Sequence, residues 1–576
     1  MQLSQKKQVF IASSGHQLAL GGPGCGKTTS ALLKAARYID GGSCKPWQKV
    51  LFLSFARATV ARVAEQAAGI LDQEVRKQLD LSTYHSFAWG ILKSHGYLLF
   101  GREPFRLLPP PQATVRLVNC GADSAAKVAE KERLLREERL LDFDLFAGKA
   151  AAVLRRAPRL AAVIGSSHPL IILDEFQDTN SDEWALVRVL GQHSTLVALA
   201  DEEQRIYEFR GAAPERIGQF TAHFNPSATD FGDENHRCPG SDIPQFTQNL
   251  LGGAVSSQTY QDVVVRRYPT PRPMEQTYRL TKMEVLNSLK RCRKGGLASF
   301  AIGVFVPTKA MMAALSDYFL QPTPSLGAID HHVAFDANAA ALAAETIAIL
   351  LSCNAISDAP TAVIESVIGH LRGRHDEITG QDRKDADFLE GCLVGKRRAS
   401  GKNQKLLLEE CARVTQGCID EEWTGSPAED WRRVVASLSG CSSGCLSQIG
   451  NDARYVKLLR KGAALNRALT ECWRSRGHYG SALEDVRSAL LQEHFSMASQ
   501  SPQGVHLMNL HKTKGKQFRE VIIVEGWQRD RLLSSRAARD PKATQQALYL
   551  LRVGVSRAEK RVTILTPSSD PCSFLK

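Results

Sequence analysis

The chain has 576 residues, too many for a single hydrophobic core, and a length prior suggests about three or four domains. With 73 Lys and Arg against 60 Asp and Glu it carries a net charge of +13, which favours a polyanionic partner such as nucleic acid. Ordinary globular composition excludes a fibrous or disordered chain, no apolar run approaches the roughly 18 residues of a membrane span, and 13 cysteines, an odd number, argue for reduced thiols rather than a disulfide framework.

The first residues, MQLSQKKQVF, lack the apolar segment of a secretory signal, so a cytoplasmic location with no membrane contact is expected. Residues 17–20 read as a short buried strand. Residues 18–30, LALGGPGCGKTTS, then set Gly21, Gly22, Pro23, Gly24, Cys25 and Gly26 ahead of Lys27, Thr28 and Thr29, with a helix reading over 29–39. This is the P-loop pattern. Small residues let backbone N–H groups curl around the β- and γ-phosphates, Lys27 reaches the outermost oxygens, and the Thr28 hydroxyl is placed for Mg²⁺ at a helix start. A chance Gly-rich turn would not need a strand before it and a helix after it. A nucleotide here gives the polar lead-in a role, because an amide offers an adenine edge both donor and acceptor: Gln8 is the candidate, Gln5 the alternative, and a plain surface helix the competing reading.

Residues 49–55, KVLFLSF, form a second buried strand opening into a helix over 56–66 that bears Arg57 and Arg62. Phe55 and Arg57 at its C-terminal edge suit stacking on, and phosphate contact with, single-stranded nucleic acid. Residues 81–85, LSTYH, make a third such edge, carrying Thr83 and His85, before a helix over 86–94. From 96 to 166 the strand pattern breaks into a Pro-rich turn and a charged helical run, AKVAEKERLLREERLLDFDLF, which reads as an insertion with a solvated face. Residues 170–180, LIILDEFQDTN, restore the sheet with a central strand from which Asp174 and Glu175 emerge together. Asp174 suits a Mg²⁺ contact and Glu175 the base that deprotonates an attacking water. A further strand over 195–200 leads to Asp201 and Gln204, the latter placed to sense a γ-phosphate, and then to Phe209 and Arg210, a stacking face and a phosphate grip.

ENHRCP at 234–239 offers Arg237 as a cation for the γ-phosphate. Strand patterns at 299–306, 505–510, 521–525 and 562–566 build a second α/β sheet, interrupted at 335–502 by an Ala- and Leu-rich helical domain with a basic stretch at 396–405. Within that domain Cys411, Cys418, Cys441 and Cys445 cluster, but the six-residue gap of the first pair misses the paired spacing of zinc sites, and no metal is expected there. HKTKGKQF at 511–518 follows one strand. Residues 548–560, LYLLRVGVSRAEK, read as a helix carrying Arg557, an arginine-finger arrangement.

In order, the segments GGPGCGKT, LSFARATVA, STYHSF, LDFDLF, ILDEFQDTN, ADEEQRIYEFRGA, NHRCP, LMNLHKTKGKQF and LRVGVSRA resemble the UvrD/Rep/PcrA group of superfamily 1 helicases. The resemblance implies an α/β fold of two RecA-like P-loop NTPase domains, each with a mainly helical insertion. Domain 1A would occupy 1–95 and 166–233, insertion 1B 96–165, domain 2A 234–334 and 503–576, and insertion 2B 335–502. It implies ATP and Mg²⁺ between the sheets, with Lys27 and Thr28 on phosphate and metal, Asp174 linked to the metal, Glu175 as base, Gln204 coupling to DNA, and Arg237 and Arg557 as paired γ-phosphate arginines. The P-loop from Gly21 to Thr29, Gln8, His236, Gly515 and Gln517 would surround the nucleotide. Phe55, Arg57, Thr83, His85, Phe209, Arg210 and His511 would lie along DNA. The implied activity is ATP-driven movement, 3′→5′, on single-stranded DNA or single/double-strand junctions. Compact relatives also pair with nucleases in antiphage systems such as Gabija, so the competing reading is a DNA-stimulated ATPase that switches a partner nuclease. The sequence departs from the family pattern at His236, where an aromatic usually stacks on adenine, at Thr29 for arginine, at Gln517 for glutamate, and at Phe209 where tryptophan is common.

Overall fold

The structure is a computed structural model that describes residues 3–121, 123–201, 215–232, 235–253, 255, 258–269, 275–296, 300–323, 326–334, 337–374, 378, 380–453, 464–495, 503–513, 515–527, 530–533 and 537–575. Its strands in chain order are β1 Gln17–Leu20, β2 Val50–Ser54, β3 Leu79–Thr83, β4 Arg106–Leu108, β5 Leu140–Asp142, β6 Leu170–Leu173, β7 Thr195–Ala200, β8 Ser227–Asp230, β9 Val263–Tyr268, β10 Ala301–Val306, β11 His331–Ala334, β12 Gly504–Asn509, β13 Phe518–Val524 and β14 Ala558–Pro567.

Two of the sheets are six-stranded and parallel, ordered β3-β2-β6-β7-β1-β8 and β11-β12-β10-β13-β14-β9. Runs such as Leu170–Leu173 and Ala301–Val306 are buried along their whole length, because a parallel sheet is covered by helices on both faces and every side chain needs an apolar partner. The pairings Leu53↔Leu173 and Leu18↔Ala198 bring the C-terminal ends of β2, β6, β7 and β1 to one rim of the first sheet. Open α/β sheets bind ligands at that rim.

The two compact units of the chain divide differently from the sequence. One unit comprises Met1–Gly101, Ala147–Ala334 and Met497–Lys576 and holds both large sheets; the other joins Arg102–Phe146 to Phe335–Ser496. The second unit therefore combines much of the segments expected as separate insertions, and the helix Pro158–Ser167, expected inside the first insertion, belongs to the sheet-bearing unit. Within the second unit the helix Pro110–Leu117 meets Ala337–Leu351: Gln112 Nε2 donates to Glu345 Oε1 at 3.1 Å and Asn338 Nδ2 to Thr114 Oγ1 at 3.3 Å. Its helical core gathers Ile347, Val367, Leu389, Trp431, Ile449 and Tyr479. Asp430, buried there, accepts from Thr424 N, Thr424 Oγ1, Gly425 N and Tyr479 Oη.

Local chemistry moved several element ends. The third strand stops at Thr83 because the Thr83 hydroxyl accepts from Ser86 N at 3.1 Å and caps the helix Tyr84–His95. β8, β9 and β11 all sit at or beside sheet edges and escaped the sequence reading; β8, Ser-Ala-Thr-Asp, is mostly exposed and carries no apolar pattern. Arg557 lies in the turn between the helix Pro541–Val555 and β14 rather than on a helix, since Arg557 N already turns back to Gly554 O at 3.2 Å. The cysteines that the structure describes are free thiols, burial pushes Cys411 and Cys418 up to about 12, and no group of three metal-ligating side chains occurs among the described residues. No helix among the described residues is long and apolar enough to cross a membrane.

Candidate nucleotide site

The loop after β1 folds into a backbone cradle. Gly24 and Gly26 adopt φ of 83° and 90°, conformations that cost a side-chain-bearing residue free energy, and Gly26 caps the helix Lys27–Tyr38, whose first N–H groups point into the loop. A Cβ on Gly24 would lie 2.7 Å from Asn235 Oδ1, so the loop and the segment after β8 fit only without one. Asn235 is the tie between them. Its Nδ2 donates to Pro23 O at 3.0 Å while its Oδ1 accepts from Arg237 N at 2.9 Å and Cys238 N at 3.1 Å, and His236 N donates to Gly24 O at 2.8 Å.

A pocket of about 290 Å³ opens on this cradle, lined by Pro23 to Thr29, Arg62, Gln66, Asp174, Glu175 and Asp201 from the first sheet and by His236, Arg237, Gln517, Arg557 and Glu559 from the second. Lys27 Nζ donates to Gly21 O and to Gly22 O at 3.0 Å and stands 4.0 Å from Asp201. Beyond β6, Asp174 is buried beneath Ser54, and Glu175 is held at φ 53°, a left-handed conformation unusual for glutamate. Gln177 aims that carboxylate: its Nε2 donates to Glu175 Oε2 at 2.7 Å while its Oε1 accepts from Asp201 N at 3.1 Å. Strain beside a ligand cavity is a feature of functional sites.

Burial and the adjacent Glu175 carboxylate push Asp174 up to about 7, with Arg62 and Lys27 holding it back. On the opposite wall burial and the nearby guanidinium groups of Arg557 and Arg62 push Arg237 down to about 9. Both shifts arise chiefly from burial, which penalises the charged form of each side chain. Arg237 donates from Nη1 to Ser556 O at 2.6 Å, and the Gln517 amide oxygen accepts from its Nε at 2.7 Å and Nη2 at 3.2 Å. Arg557, itself buried, donates to Val553 O and Ser556 Oγ at 3.0 Å each.

The structure thus brings Lys27, Thr28, Thr29, Asp174, Glu175, His236, Arg237, Gln517 and Arg557 into one pocket. Gln204, Phe209 and Arg210 fall outside the described residues. Gln8 is not in this group: it is exposed and donates to Leu3 O, because the helix Gln5–Ala12 buries Lys7 and Phe10 instead. Lys7 is 3% exposed, with Nζ 2.8 Å from His236 Nε2, and its three-residue helical spacing from Phe10 is the signal that singles it out. Gly515 packs away from the pocket: a Cβ there would lie 2.3 Å from Thr59 Oγ1 on the helix Arg57–Ile70. Arg62 and Gln66 join the site from that same helix without having been singled out for it by sequence.

Of the residues expected along DNA, Phe55 packs at a 31° tilt against the buried ring of Tyr84, centroids 4.9 Å apart, and Arg57 begins its helix. Thr83 is buried as a helix cap, His85 is half-buried, and His511 is exposed, its N–H donating to Asn509 Oδ1 at 3.0 Å.

The sequence pattern of the UvrD/REP helicase N-terminal domain matches residues 1–132 and 119–225. Over 310 residues the chain is 28% identical to the ATP-dependent DNA helicase UvrD1 of Mycobacterium tuberculosis, covering 44% of this chain and 38% of that protein. It is 25% identical over 293 residues to the ATP-dependent DNA helicase PcrA of Leuconostoc citreum, covering 44% and 38%. Against DNA helicase II of Escherichia coli it is 22% identical over 292 residues, covering 43% and 39%. The matched part therefore spans about two fifths of these relatives. By motif order, paired parallel sheets and these likenesses, the chain is similar to the UvrD-like group of superfamily 1A helicases.

Proposed function

We propose that the protein is an ATP-dependent DNA helicase that moves 3′→5′ on single-stranded DNA by hydrolysing ATP between its two large sheets. The observation that carries this reading is the convergence of Lys27 and Arg62 from one sheet and Arg237 and Arg557 from the other on a pocket that also holds a strand-end Asp-Glu pair. Direction of travel rests on the family resemblance.

In this reading the P-loop N–H groups bind the phosphates and Lys27 exchanges its carbonyl partners Gly21 and Gly22 for phosphate oxygens. Glu175, aimed by Gln177, accepts the proton of the attacking water. The donors suited to Mg²⁺ are hard oxygens of Thr28, Asp174 and Asp201 in the same pocket. When bound, Mg²⁺ neutralises charge on the phosphates. Arg237 and Arg557 bind the γ-phosphate from the second sheet, so nucleotide draws the walls together and hydrolysis releases that attraction. Alternating closure with Phe55 and His85 against DNA turns the cycle into steps.

The test is ATPase with and without single-stranded DNA, followed by strand displacement with the protein alone. Glu175→Gln is expected to bind ATP and DNA while losing about 10³-fold in hydrolysis. Normal hydrolysis by that variant sinks the assignment. DNA-stimulated ATPase without displacement favours the reading in which the chain regulates a partner nuclease.

A further inference from the structure

Arg62 and Gln66 lie one turn apart on the helix Arg57–Ile70, and both line the nucleotide pocket. Arg62 Nε and Nη1, and Gln66 Oε1, are buried without a hydrogen-bond partner among the described residues. Buried polar atoms are nearly always paired, and those left open on a cavity wall match atoms of what the cavity takes. The neighbouring cations are engaged with the protein: Lys27 with Gly21 and Gly22, Arg237 with Ser556, Arg557 with Val553. Arg62 stands close enough to both Asp174 and Arg237 to influence the charge of each. Arg57, on the same helix, was expected along nucleic acid; five helical positions rotate a side chain by about 140°, which sets Arg62 on a different face, toward the pocket.

We propose that Arg62 is a further phosphate-binding residue of the ATPase, donating to the terminal phosphoryl oxygens as they separate, with the Gln66 carbonyl accepting from the attacking water. This rests on the ATPase reading above. In the step it serves, water oxygen bonds to the terminal phosphorus, the bond from that phosphorus to the bridging oxygen breaks with its electron pair leaving on ADP, and the water proton passes to Glu175. Arg62 stays charged throughout and balances the oxygens.

The full chain, Arg62→Met and Arg62→Lys are compared in four measurements: ATP hydrolysis with saturating single-stranded DNA, titration of a fluorescent ATP analogue, oligonucleotide anisotropy, and thermal stabilisation by ADP with orthovanadate. Arg62→Met is expected to hydrolyse about 100-fold more slowly and to lose the vanadate-dependent stabilisation while binding oligonucleotide normally. Arg62→Lys, which keeps charge without the fork, is expected to fall between, and guards against a folding defect in the first variant. Hydrolysis within twofold of the unmodified chain, or loss of oligonucleotide affinity with vanadate stabilisation intact, overturns the inference. An unmodified chain that neither hydrolyses ATP nor responds to ADP with orthovanadate overturns the ATPase reading itself.

Discussion

Truncating Asn235 to alanine tests whether the two walls of the pocket are tied through one side chain. The change deletes two acceptances from backbone, Arg237 N at 2.9 Å and Cys238 N at 3.1 Å, a weak third from Cys238 Sγ at 3.3 Å, and one donation, to Pro23 O at 3.0 Å. At about 1 kcal/mol for each neutral hydrogen bond the loss is about 3 kcal/mol, reduced to about 2 where water reaches the half-buried position. The larger effect falls on chemistry, because the backbone that carries Arg237 loses its anchor. Misplacing a phosphate cation costs about 10²-fold or more in turnover. Urea denaturation and DNA-stimulated ATPase on the same preparation read both quantities. Asn235→Asp separates them, since its oxygen still accepts from the two N–H groups while the donation to Pro23 is lost and a negative charge enters a phosphate pocket. That variant is expected to retain stability and bind ATP more weakly. If Asn235→Ala unfolds at the unmodified midpoint and turns over within twofold, the tie does not position the arginine.

Asp174, raised to about 7, holds its proton in the folded chain where an unfolded aspartate has lost it, so its ionisation opposes folding increasingly as pH rises to that value. A metal must displace the proton below it, so Mg²⁺ affinity in the presence of ADP is expected to fall about tenfold per pH unit below about 7, and a flat titration from pH 5 to 8 would contradict this. Lys7 beside His236 presents donors only, which suits the two acceptors of a guanine edge better than an adenine edge with its amino group. Lys7→Gln is therefore expected to move the kcat/KM ratio toward ATP over GTP by about tenfold, and an unchanged ratio would remove Lys7 from base selection. Asp430→Ala, which deletes four acceptances in the helical unit, is expected to destabilise it by about 4 kcal/mol, seen as an earlier thermal transition; an unchanged melting profile would show the network to be dispensable.

The loop after β1 and the acidic pair after β6 were legible residue by residue because their chemistry is local. Gly24, Gly26 and Lys27 need only their neighbours to define the loop, and Asp174-Glu175 needs only the apolar run before it to sit at a strand end. Parallel strands such as Leu170–Leu173 announced themselves by being apolar on both faces. Edge strands such as Ser227–Asp230 did not, since one exposed side leaves no pattern to read. What helical and turn geometry at a distance governs was settled only by the folded chain: which of Lys7 and Gln8 turns inward, that Arg62 lines the pocket while Arg57 begins the helix, and that Arg557 stands in a turn beside Ser556. The joining of Arg102–Phe146 to Phe335–Ser496 in one unit was likewise invisible, because segments separated by that length of chain declare their partnership only through packing. A sequence records each residue's chemistry and its near neighbours; which surfaces meet is decided by the free energy of burying them together.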